Sequence, residues 1–237
     1  MQQFPPLLSQ LRLLIESSYD WATGIDDVGR FVVGDEGYRR LYGHREVLGA
    51  LPESILGART LVAWEGRQVR LRVYYPDQLV RHLEIWNPLR RIDEENVSHF
   101  SVLIEELDHL LMLAWCARYQ RPVRLLELEF HANITKYLVL IHFLGRLGRR
   151  MRILPGQKQW VRLHLFHGAG EDLPPPFQKR YETAARLASR FLRLLEQMPA
   201  AERVRTLRRF ARQSWQAQRR VLDSPEENPG LGFAMAL

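Results

Sequence analysis

Four of the chain's eight histidines, His99, His109, His131 and His142, fall in two neighbouring apolar-periodic segments near its middle. Carboxylates sit at helical spacing from two of them. Glu106-Leu107-Asp108-His109 has the Glu-x-x-His form, with Glu105 one further residue back, and Glu127 precedes His131 by four. Residues three and four apart on a helix share a face, so an imidazole and a carboxylate can reach one ion. Mixed nitrogen and oxygen donors of this kind suit Zn, Fe or Mn. The candidate ligands are therefore Glu106, His109, Glu127 and His131, with hydrolytic or oxidative chemistry both open.

The same residues allow a second reading, a set of partly buried histidines hydrogen-bonded to i,i+4 carboxylates. A carboxylate-bridged two-metal bundle uses two Glu-x-x-His motifs and two more glutamates, and this chain has one such motif. On the first segment the apolar centre runs through Phe100, Leu103, Leu107, Leu111 and Ala114, and His109 lies nearly opposite. A site at His109 thus requires a third element packed on that side. On the second segment, Glu127, His131, Thr135 and His142 form a polar stripe, and Glu129 and Lys136 are expected to face water.

The periodicity predicts helices over about 95–118, capped by Asp93 or Asn96, and about 123–147. The turn Gln120-Arg121-Pro122 makes them antiparallel neighbours, so residues whose numbers sum to about 240 lie level. His109 then matches His131, and His99 matches His142 in a second polar level about 15 Å along the axis. Val69, Leu71, Val73 and Tyr75 alternate with polar residues after Thr60–Trp64, which predicts a hairpin over 59–75. Helices are expected at about 7–19, 36–42, 45–51 and 77–86. Trp160–Phe166 alternates as a strand would, so it is expected to join the hairpin's sheet. The fold class is α+β, mainly α: a central antiparallel helical hairpin, a small antiparallel β-sheet and a C-terminal helical pair. Residues 1–172 form the mixed core domain, 173–223 the helical pair packed on or beside it, and 224–237 a disordered tail.

The formal charge is +7, unevenly placed. Residues 177–223 hold twelve Lys or Arg against four Asp or Glu, a balance of +8, and the rest comes to −1. Helices are expected over about 177–197 and 200–221, the second crowded with arginine. Arg205, Arg209, Arg212 and Trp215 are candidates for contacting a polyanion, because guanidinium forks pair with phosphates and an aromatic can stack on bases. The partner would be nucleic acid or an acidic protein; an ordinary solvated face is the alternative. At 46% apolar and 26% charged, the chain can bury a core without disulfides, and its single cysteine, Cys116, forms none within the chain. No apolar run reaches the roughly 20 residues that span a bilayer, and no secretory leader is evident, so the expectation is a cytoplasmic protein. No nucleophile elbow, Walker loop, paired CxxC or kinase set occurs. Three classes remain: a metal-binding helical protein, a non-enzymatic binding protein, and a scaffold subunit of an oligomer or complex.

Overall fold

The central hairpin forms because two long segments are free of proline and rich in Leu. In a computed structural model that describes residues 4–42, 57–66, 68–148, 153–168, 170–171 and 173–223, they are the helices Val97–Arg118 and Leu125–Leu147. The first is closed by Gln120 in the left-handed region (φ 52°). There the Arg121 amide returns to the Cys116 carbonyl at 2.9 Å, which satisfies an otherwise orphaned acceptor. Asn96 stands at the start of the first helix but caps nothing with its side chain. Its amide instead donates to the Trp86 and Arg91 carbonyls, stapling the entry loop.

In chain order the helices are α1 (Phe4–Tyr19), α2 (Asp35–Tyr42), α3 (Asp77–Ile85), α4 (Val97–Arg118), α5 (Leu125–Leu147), α6 (Pro155–Phe166), α7 (Pro175–Glu196), α8 (Ala200–Arg212) and α9 (Trp215–Asp223). The strands are β1 (Val32–Val33), β2 (Arg59–Glu65) and β3 (Gln68–Tyr74). The hairpin is as expected: β2 and β3 pair antiparallel, with Val62 opposite Leu71 and Thr60 opposite Val73. Leu71, Val73 and Tyr75 are buried on one face. The third strand differs from expectation. It is β1, parallel to β3 through Val32 and Val33, so the sheet is mixed, in the order β1-β3-β2.

The segment expected to complete that sheet is helical. Within α6, Val161 and Leu165, one turn apart, are buried, while Leu163 is 52% exposed, the pattern of a helix and not of a strand. Pro155 at its first turn and the Gln157 side chain accepting from the Leu154 amide (3.0 Å) start it. Past Pro199 the expected single helix is two, α8 and α9, broken at Gln213 and Ser214. The helix expected at 45–51 and the tail 224–237 lie outside the described residues.

Apolar residues from Leu7 to Leu222 share one core. In it α5 packs against α4, α6 and α7, and α4 also meets the sheet and α1. The two central helices are therefore buried around most of their circumference, polar residues included. Among the described residues, no helix is long and apolar enough to cross a membrane.

Candidate metal centre

Glu105, Glu106 and His109 on α4 meet Glu129 and Lys136 on α5 and Arg180 and Tyr181 on α7. The antiparallel register is the one the turn dictates: Lys136 Nζ donates to Glu105 Oε2 at 2.5 Å, numbers that sum to 241. His109 Nδ1 lies 3.6 Å from Glu106 Oε2 and its Nε2 lies 3.8 Å from Glu129 Oε2. Glu106 is fixed from the sheet side by Thr60, whose hydroxyl donates to Oε2 at 2.8 Å. The third element that a site at His109 requires is α7, which brings Arg180 Nε to 3.5 Å from Glu129 Oε1 and the Tyr181 hydroxyl to 3.4 Å from Glu105 Oε1. Gly170 (φ +89°) makes that closure fit, because a Cβ there would lie 3.0 Å from Tyr181 Cβ.

Glu105, His109 and Glu129 each offer a ligand atom within 4.8 Å of the others. Among the described residues, neither imidazole nitrogen of His109 and neither carboxylate oxygen of Glu129 has a hydrogen-bond partner, although both residues are only 1% exposed. Orphaned buried polar atoms of this kind are costly and uncommon. The electrostatics are correspondingly distorted. Burial opposes charge on His109, but the Glu106 carboxylate beside it and the charges of Glu129, Glu106 and Glu105 outweigh that, lifting its pKa to about 9. Burial raises Glu129 to about 7, assisted by Glu105 and Glu106 and opposed by His109 and Arg180. For Glu105 burial is overcome by Lys136 and His109, which hold its carboxyl below the ordinary range.

No protein-family model matches the chain, and no curated protein or solved structure is detectably similar to it.

The ligand group differs from the set expected from spacing. Glu106 and His109 do come together, but Glu127 is tied to the Arg121 guanidinium. His131 turns the other way: its Nδ1 donates to Asp108 Oδ2 at 2.8 Å. Thr135 donates to Asp108 Oδ1 at 2.7 Å and accepts from the Tyr19 hydroxyl at 2.8 Å. The His131 ring stacks on Trp21 with centroids 4.7 Å apart. Consecutive residues on a helix point about 100° apart, so Asp108 and His109 serve different faces of α4, one toward α1 and one toward α7. Glu129 and Lys136, expected in water, are 1% and 8% exposed. Period arithmetic allots a surface helix one wet face, and α7 covers it. The second polar level does not assemble either: His99 stacks on His82 of α3 (centroids 3.6 Å), while His142 is exposed.

At the C-terminus, Arg205, Arg209 and Arg212 are exposed. Trp215 is not offered beside them: it is 9% exposed and packs on Phe130, centroids 5.7 Å apart. Arg208 donates to the Ser17 carbonyl at 2.8 Å, and Arg212 is paired with Asp20, so both serve the last-turn carbonyls of α1 and the residue beyond it.

Proposed function

We propose that this protein binds a divalent first-row transition metal, Zn, Fe or Mn, through Glu105, His109 and Glu129, with Glu106 beside them. The observation that carries this reading is the convergence of three ligand residues, two of which, His109 and Glu129, have buried ligand atoms without hydrogen-bond partners among the described residues. An ion would satisfy one imidazole nitrogen of His109 and one oxygen of Glu129 together, whereas leaving a buried polar atom without a hydrogen bond costs about 1–3 kcal/mol. Three protein ligands leave a position for water, which a bound metal would acidify for hydrolysis or exchange for an oxidant. Lys136 and Tyr181 hold Glu105 in place, as outer partners of a metal ligand do.

The competing account is a self-neutralising ionic network. Glu105, Glu106 and Glu129 could balance a protonated His109, Lys136 and Arg180 with no ion at all. Metal analysis of the purified protein, followed by reconstitution of chelator-stripped protein with each metal, separates the two. The expected result is about one metal ion per chain. It should be lost in His109→Ala and Glu129→Gln and kept in Asp108→Asn, which alters a different face of α4. A protein that purifies without metal and neither takes up nor is stabilised by any of the three belongs to the ionic-network account.

A further inference from the structure

The two permanent cations at this centre are held differently. Lys136 is locked to Glu105 by a 2.5 Å hydrogen bond. Arg180 stands 3.5 Å from Glu129 Oε1, and its Nε and Nη2 have no hydrogen-bond partner among the described residues. What holds it is position: its guanidinium lies 5.4 Å from the Phe177 ring centroid and 5.7 Å from that of Tyr181. Its side chain is 15% exposed, against 10% for Lys136 and 1% for Glu129, although its Nε and Nη2 are themselves buried. Long basic side chains can move their charged head into water while the stem stays packed.

The oxygens of Glu129 are divided: Oε2 looks toward His109 Nε2 at 3.8 Å, and Oε1 toward Arg180. A divalent ion between Glu129 and His109 would therefore arrive next to a fixed positive charge in a water-poor interior, where repulsion is only weakly screened. Resting on the metal reading above, we infer that Arg180 is the centre's resident counter-ion and gate. In the metal-free protein it supplies the positive charge that Glu129 needs. On metal binding it swings past Phe177 toward solvent, so affinity is set by competition between the ion and this one side chain.

The test is a titration of chelator-stripped protein with Zn2+ and with Mn2+, comparing the wild type with Arg180→Met, which keeps an apolar stem, and Arg180→Lys, which keeps the charge. Arg180→Met should bind at least about tenfold more tightly, and Arg180→Lys should stay within about threefold of the wild type. A second readout needs no neutral variant. The Arg180 Nε–H resonance, assigned by its absence in Arg180→Lys, should shift and exchange faster with water once Zn2+ is saturating. A resonance that stays put in the metal-bound protein overturns the gate, even if Arg180→Met does not fold. Equal or weaker affinity in a folded Arg180→Met also overturns it and leaves the metal reading standing. A wild type that binds neither metal ends both.

Discussion

His109 and Glu129 hold protons more tightly in the fold than in an unfolded chain, and this fixes the sign of their pH effect. His109, lifted from 6.5 to about 9, contributes stability that is complete below pH 6.5 and lost as pH rises through 9. Glu129, lifted from 4.5 to about 7, favours its neutral form, so its contribution also fades as pH rises, through 7. Metal-free protein should therefore melt lower as pH climbs from about 6 to about 9, and the His109 gap alone corresponds to roughly 3 kcal/mol. A bound metal requires the deprotonated imidazole, so its stabilisation should grow over the same interval. Thermal melts in chelator and in Zn2+ across this range measure both slopes. Chelated protein as stable at the alkaline end as at the acid end would mean that these protons are not held as the structure indicates. At this scale the sequence was half legible. The Glu-x-x-His spacing identifies Glu106 and His109. Glu105 is visible as a neighbour on the same face. Glu129 and Arg180 carry no local signal: one reads as a surface residue of α5, and the other lies some fifty residues further on.

Among the elements, the β2–β3 hairpin carries the clearest strand signal in the sequence and the clearest test. Leu71 is buried opposite Val62, on the face that also carries Val73 and Tyr75 against α4, where the Tyr75 hydroxyl donates to the Leu103 carbonyl. Leu71→Asp places an unpaired charge there and should cost about 3 kcal/mol or more. Chemical denaturation measures it, and an unchanged midpoint would refute the buried face. Because Thr60 of the paired strand also fixes Glu106, the variant should weaken metal retention too. Alternation found β3 because a half-buried strand has a period that no helix shares over seven residues. The same rule misread α6, where Val161, Leu163 and Leu165 alternate by coincidence. The proline-opened first turn was the better signal there. β1 could not have been anticipated, since two residues present no periodicity. The hairpin of α4 and α5 was legible in register, but the sides of its residues were not: with α1, α7 and the sheet all packed around it, polarity no longer marks the surface.

On the scale of the whole molecule, the excess charge of +8 over residues 177–223 meets a balance of −1 elsewhere. Part of that excess is internal structure: Arg208 and Arg212 close the end of α1, Arg180 faces the buried cluster, and Arg219 pairs with Asp223. With Trp215 in the core, a base-stacking platform is lost, and the exposed basic surface of α8 is Arg205 and Arg209 beside Glu202, with Arg212 bound to Asp20 at its end. A surface of this composition can attract a polyanion by charge alone. Each neutralised phosphate releases counterions, so such binding falls steeply with salt. The expectation is weak, sequence-independent binding to labelled DNA and RNA, measured by fluorescence anisotropy over a salt series. Replacing Arg205 and Arg209 by Gln should flatten the slope by about one unit per lost phosphate contact. Stability should stay within about 0.5 kcal/mol, because both side chains are exposed. Arg212→Gln should behave differently, loosening α8 from α1 at a cost of about 0.5–1 kcal/mol. His109→Ala should leave the salt slope untouched, since it lies in the core between α4, α5 and α7. No binding at low salt would remove nucleic acid as a partner, and the C-terminal arginines would then be explained by the helix ends and carboxylates they hold.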